Sequence, residues 1–401
     1  MKCLPALLFS LLSLISSCSL LTQLNPFAAQ EESSFSPLWL LLLGGSSSSS
    51  TTSHQYAFVT SFVFNSGGDG ELYLFRKNST DCSLTRLGTY AVGENAFDLS
   101  YRDGFLYVAN DRTANISMFS FQTGTGSLTS LGRLTQSSPG TSAAVPYGIA
   151  IHPDGWVFIA DGSTDSNTHG SIGRFSRSAN GTLTQLTPAY VDTGAGSRIW
   201  FPALSRNGNY LYVSRYDNAT MLQYSVNSSD GTLTALGTPT IATANNPWEV
   251  VTHKSGNFLY VSNYGSNSIG QYSINGTSGQ LAQIAAPIAS GTNPIGIAVG
   301  EKFLFAGSFN NGNAGGVYGY SINQSTGALT ATAQGSVALA APGVYGLQLD
   351  RDERCLYVAR SNYSGGSADL SIYNVDQSTG ELTAAGTIAA GSGPRFIKFA
   401  Y

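Results

Sequence analysis

Four charged side chains mark where this sequence could do chemistry: Asp98, Glu249, Arg395 and Arg198. The first three stand in two adjacent columns of a repeated segment. One column reads Phe97, Tyr147, Trp200, Trp248, Ile295, Tyr345, Arg395; the next reads Asp98, Gly148, Phe201, Glu249, Gly296, Gly346, Phe396. Every other member is apolar, aromatic or glycine, and Arg198 sits just ahead of its own copy. A carboxylate in such surroundings can serve as a general base, while guanidiniums bind carboxylate or phosphate through paired donors and stabilise developing negative charge. Glu249 and Asp98 are therefore the candidate catalytic groups. Arg395, Arg198, Trp248, Trp200, Tyr147 and Tyr345 are the candidate ligand-binding groups, suited to an anionic or hydroxylated small molecule. The same charges could instead pair with one another around a solvent-filled channel, with no ligand involved.

The remaining ionisable residues suggest less. His152 and His253 occupy equivalent turns, "HPDG" and "HKSG", and read as solvated turn residues on the face away from the candidate site. His169 lies in "DGSTDSNTHG" with Asp161 and Asp165. Those oxygens could hold a hard cation, but the spacing is not that of an EF-hand, and a polar loop is expected. No zinc pattern, phosphate loop or nucleophile elbow is present, so no metal and no cofactor are expected.

The elements that must position these residues come from the repeat. A central aromatic in an "LYV"-like phrase falls at Phe58, Tyr107, Phe158, Tyr212, Tyr260, Phe305 and Tyr357, about 45 to 54 residues apart, a spacing typical of propeller blades. Each copy has the same grammar: a strand such as "PYGIAI", a turn, "WVFIA", an Asn/Gly-rich loop, an alternating strand and a final "NGTLTQL". Four-stranded sheets of this kind leave both faces unsatisfied, and radial packing covers them. The repeated aromatic then fills the space between blades, each worth about 1.5–3 kcal/mol of burial, and is not catalytic. The first copy starts at its second strand, "YAFVTSF", and the final "GPRFIKFAY" matches the missing first strand. The expectation is an all-β, seven-bladed β-propeller of four-stranded antiparallel blades, closed by the C-terminal strand completing the first blade. It should span residues 54–401, with first strands lining the channel.

Composition agrees with many short strands and tight turns: 401 residues, 46 glycines, 21 tyrosines and only 10% charged side chains. A net charge of −4 without like-charge blocks argues against nucleic-acid binding. At the start, Lys2 precedes the apolar "LPALLFSLLSLI", and "ISSC" places small residues ahead of Cys18. This resembles a bacterial lipoprotein signal. The resemblance implies residues 1–17 as signal peptide, a lipidated Cys18 that partners the bilayer, and a cell-envelope location facing periplasm or exterior. Residues 18–53, which include "PLWLLLLGG" and "SSSSSTTS", read as a flexible linker, the apolar run being too short to span a membrane. Cys82 and Cys355 remain in the folded part. They are placed at different radii of the propeller, and two unpaired thiols are expected.

The phrases "LYVSNYGSNSIGQYSI" and "STGALT" resemble the repeat of the lactonase family of seven-bladed propellers, which includes 6-phosphogluconolactonase and the fungal carboxymuconate-cyclising enzyme. The family's enzymes carry a His-rich signature and an Asp-Leu-Gly loop where this chain reads "SRIWFPALSRNG" and "SRYDNATMLQY". The resemblance implies the fold, and if the protein is an enzyme, a lactonase-type hydrolase. A binder of a small molecule or protein at the channel mouth, a lactone-hydrolysing or cyclising enzyme, and an adhesive surface protein are the three readings.

Overall fold

The computed structural model describes residues 54–62, 68–136, 144–162, 169–195, 198–361 and 369–400. The expected signal peptide, Cys18 and linker lie outside them.

Alternating strands and short Gly- and Asn-rich turns build seven four-stranded antiparallel sheets. We number these blades 1 to 7 along the chain. The first strands of blades 2 to 7 are Ala96–Arg102, Pro146–Ile151, Ile199–Leu204, Pro247–Thr252, Pro294–Val299 and Val344–Leu349. Blade 1 takes its first strand from the other end of the chain: Pro394–Ala400 pairs with Tyr56–Ser61, setting Tyr56 opposite Ala400 and Phe58 opposite Lys398. Each first strand contacts those of the two neighbouring blades, so the ring is closed, as the terminal segments implied.

The repeated aromatics fill the clefts between blades. Phe58, Tyr107, Phe158, Tyr212, Tyr260, Phe305 and Tyr357 are all fully buried. The tyrosines add a polar staple: Tyr107, Tyr212 and Tyr260 donate to Gly181, Gly279 and Gly327 carbonyls at 2.7, 2.7 and 2.8 Å, each in the turn between third and fourth strands of the next blade. Where blade 3 has Phe158 and no hydroxyl, Arg174 Nε donates to the equivalent Gly231 carbonyl instead, at 3.1 Å.

The same staple explains a correction. Tyr357 donates to the Cys82 carbonyl at 2.9 Å, which brings the turn carrying Cys82 in blade 1 over the second strand of blade 7, where Cys355 begins. Cys82 and Cys355 form a disulfide with their Cα atoms 5.5 Å apart, not two free thiols. The turn reaches across the blade boundary, which brings together two positions that were placed at different radii.

Register slips in the first strand of every blade. In six blades the two skipped residues belong to the two columns that carry the candidate site, and a bulge of this kind re-aims side chains. Hydroxyls seal the bulge in three blades. Ser262 Oγ accepts from Glu249 N (3.1 Å) and donates to the Ile295 carbonyl of the next blade (2.7 Å), and Ser214 and Thr60 do the same for Phe201 and Phe396.

Candidate functional site

Side chains of the first strands occupy the channel at two depths. At the mouth, the bulges turn Tyr147, Trp200 and Trp248 into a continuous stack, with ring centres 4.1 and 4.3 Å apart. Phe97 lies at the centre of the plug. Its ring contacts Tyr147 (5.0 Å), Trp200 (5.7 Å), Phe396 (5.8 Å), Phe201 and Tyr345 (6.1 Å each), spanning blades on both sides of the axis. Phe201 and Phe396 meet across the channel at 5.2 Å. The aromatic column is therefore packed into a layer that fills the axis; it is not an open ring around it.

Arg395 is held within this layer. Its guanidinium lies 4.5 Å from the ring centre of Phe62 and 5.1 Å from those of Phe97 and Tyr345. The side chain is buried, and Nε and Nη1 have no hydrogen-bond partner; the buried Nε1 atoms of Trp200 and Trp248 share that condition. Buried donors of this kind normally find an acceptor, so four of them in one layer require an explanation. Arg198, unlike Arg395, is partly exposed and has an acidic partner. It grips Asp217 through Nε and Nη2 at 2.8 and 2.6 Å and lies 4.9 Å from the ring centre of Tyr216.

Asp98 and Glu249 lie one residue deeper and do converge on one region of the channel. Each reaches the next blade: Asp98 Oδ2 accepts from Ile149 N at 3.0 Å, and Glu249 Oε2 accepts from Ile297 N at 2.8 Å. Burial pushes the Asp98 carboxyl up to about 6 and the Glu249 carboxyl up to about 7. The charge that most opposes this in both cases is Lys398, and Asp98 raises Glu249 further. Lys398 escaped the sequence reading although it stands two residues after Phe396, where period-two alternation returns a strand side chain to the same face.

A third column of the repeat was also overlooked. It follows each second strand and reads Phe62, Asp111, Gly162, Tyr216, Tyr264, Phe309, Ser361. Its aromatics press on the mouth layer: Tyr216 touches both Trp200 and Trp248 (5.7 Å each), Tyr264 touches Trp248 (5.2 Å), and Phe309 touches Tyr345 (5.4 Å). Asp111 is the charged exception. Its carboxyl is pushed up to about 6 by burial, with Arg395 the cation that most opposes the shift.

The histidine expectation changes as well. His152 and His253 are buried, not solvated. His253 Nδ1 meets Ser255 Oγ at 2.8 Å and its Nε2 meets the Glu301 carbonyl at 2.9 Å, a link to the next blade that draws the ring under the turn. His152 Nδ1 accepts from Asp154 N at 3.1 Å. Of the polar loop, Asp165 lies outside the described residues; Asp161 accepts from Val145 N (2.5 Å) and Ser171 Oγ (3.2 Å). Among the described residues no group of three or more His, Cys, Asp or Glu is placed to hold a metal.

A family model described as "Lactonase, 7-bladed beta-propeller" matches residues 176–294 and 303–400, more than half of the chain. Among solved structures, a putative 6-phosphogluconolactonase from Bacteroides fragilis is 19% identical over 88% of this chain and 99% of its own, with a TM-score of 0.72. A periplasmic gluconolactonase from Pseudomonas aeruginosa is 14% identical over 86% and 99%, at 0.70. A putative 6-phosphogluconolactonase from Bacteroides uniformis is 17% identical over 87% and 100%, at 0.71. At these identities the likeness is one of fold. No curated protein sequence matches.

Proposed function

We propose, from the premise that the chain belongs to the lactonase family of seven-bladed β-propellers, that it is an exported, lipid-anchored propeller binding an acceptor-rich small molecule at the channel mouth. One observation carries the binding reading: four buried donors, Arg395 Nε and Nη1 with Trp200 and Trp248 Nε1, lack an acceptor in a single aromatic layer. A carboxylate, phosphate or hydroxylated ring would supply the acceptors, and Tyr147, Trp200, Trp248 and Tyr345 would supply the apolar wall. Thermal-shift titration of the full chain with sugar acids and sugar lactones tests this. A shift that disappears in Arg395→Met supports the reading; no shift with any compound, or an equal shift in the variant, rejects it.

Export and anchoring rest on the Lys2 start, the apolar run and "ISSC", with support from the Cys82–Cys355 disulfide, since such bonds persist in oxidising compartments. Incorporation of labelled palmitate, lost in Cys18→Ala, is the expected result; incorporation that survives the substitution rejects the anchor.

A second reading, lactone hydrolysis, draws on the carboxyls raised toward neutrality. A group titrating near the working pH can take a proton from water as it adds to a lactone carbonyl and return it to the ring oxygen as the C–O bond breaks. Glu249 or Asp98 would do this, with Lys398, the cation that acts most on both carboxyls, favouring the developing oxyanion. Turnover of a lactone by the full chain, abolished in a folded Glu249→Gln variant, is the expected result. Full activity in that variant assigns the base elsewhere.

A further inference from the structure

The two charged exceptions at the mouth belong to neighbouring blades. Arg395 stands in the inner aromatic column of blade 1, and Asp111 in the outer column of blade 2. What the outer column does is clear from its other members. Tyr216 presses on the inner residue of its own blade and on that of the next, while Phe62 covers Arg395 at 4.5 Å. By the same register, Asp111 takes the outer-column place beside the inner residues Phe97 and Tyr147, and its charge acts on Tyr147; Phe97 is one wall of the Arg395 cage. Two contacts fix Asp111 there: its N–H donates to the Asn95 carbonyl at 3.4 Å, and Asn95 Nδ2 donates to its carboxylate. Asn95 lies two residues before Phe97, so the carboxylate is tied to the strand that builds the plug. Burial raises the Tyr147 phenol, Asp111 raises it further, and Arg198 and then Arg395 oppose the shift, so both charges of the arrangement act on this ring.

Asp111 and Arg395 nevertheless form no contact ion pair, and two of the guanidinium's buried donors are unpartnered. An acid and a base on adjacent blades, separated and facing one aromatic floor, suit a ligand that carries both complements. We propose that Asp111 is a specificity-determining residue of the mouth site, and that the site selects carboxylates bearing a hydrogen-bond donor on the neighbouring carbon: 2-hydroxy or 2-amino acids. The carboxylate takes the free Arg395 donors, the neighbouring hydroxyl or ammonium donates to Asp111, and the remaining carbon chain lies on Trp200 and Tyr147. An ammonium gains further from the aromatic faces beside Asp111. This deepens the binding reading and depends on it.

A matched six-carbon series tests it: hexanoate, 2-hydroxyhexanoate and 2-aminohexanoate, titrated calorimetrically into the full chain. The 2-substituted acids should bind about tenfold more tightly than hexanoate, as expected for a hydrogen bond to a charged group. Asp111→Asn should erase that preference for the amino acid while leaving hexanoate within about twofold. Arg395→Met should weaken all three, and Arg395→Lys, which keeps a cation in the cage, should restore part of the binding. A larger gain for the amino than for the hydroxy acid identifies the ammonium as the preferred donor, and the reverse order identifies the hydroxyl. If all three bind with equal affinity and depend on Arg395, the role of Asp111 is wrong and the binding reading stands. If none binds, or binding ignores Arg395, both fail.

Discussion

Removing the disulfide offers the sharpest test of how the ring is held shut. Cys82 and Cys355 are buried and lie 273 residues apart in sequence, so their bond links blade 7 to blade 1 and encloses most of the folded chain. In the chain-entropy description, a cross-link restricts the unfolded ensemble more as the enclosed loop lengthens, and a loop of this size corresponds to about 5.6 kcal/mol. Residual contacts in the unfolded chain reduce that figure, so a loss of about 3–5 kcal/mol is expected for the double variant Cys82→Ala/Cys355→Ala. The Tyr357 hydroxyl still donates to the backbone carbonyl at position 82, so the native blade contact survives and the change reports mainly on the cross-link. Urea unfolding of the oxidised wild type and the double variant, followed by tryptophan fluorescence, measures the difference. A loss under about 1 kcal/mol would refute the reasoning. Two titratable thiols in the native protein would refute the pairing itself.

Burial raises the Asp98 and Glu249 carboxyls to about 6 and about 7, so between about pH 4 and 7 the folded state binds more protons than the unfolded one. Stability should therefore fall as pH rises from about 4 to 7, and the fall should flatten in Asp98→Asn/Glu249→Gln; a pH-independent urea midpoint in the wild type contradicts this. Lys398→Met removes the charge that most opposes both shifts, so the pH of half-protonation seen by NMR for Glu249 should move upward; a downward move contradicts the placement. Tyr212→Phe leaves the inter-blade ring but removes its bond to Gly279 O, and should cost about 1 kcal/mol in urea unfolding; an unchanged midpoint would show the staple to be idle.

Blade number, strand grammar and ring closure were legible because they are written in repetition, and repetition survives without knowledge of any contact. The seven central aromatics fell where the "LYV" spacing put them, fully buried between blades. The site was legible only in part. Its columns could be read, but not that register slips aim them inward, nor that Phe97, Phe201 and Phe396 fill the axis they were expected to line. Lys398 and Asp111 lie outside the two columns that marked the site, although each is the charged exception in a further one. The Cys82–Cys355 bond depends on a turn reaching over the neighbouring blade, a relation between sheets that the spacing within one repeat does not encode.

Because residues 394–400 supply the innermost strand of blade 1, this late-synthesised segment sits at the hub, not on the periphery. Until that strand arrives, the sheet begun at Tyr56 keeps a bare edge toward the axis, and neither Arg395 nor Lys398 is in place. Loss of residues 394–400 would thus remove the mouth cation, the channel cation and the closing seam together. The order of synthesis makes the arrival of residues 394–400 the condition for both a closed propeller ring and a finished site, and a product that stops short of them would have neither.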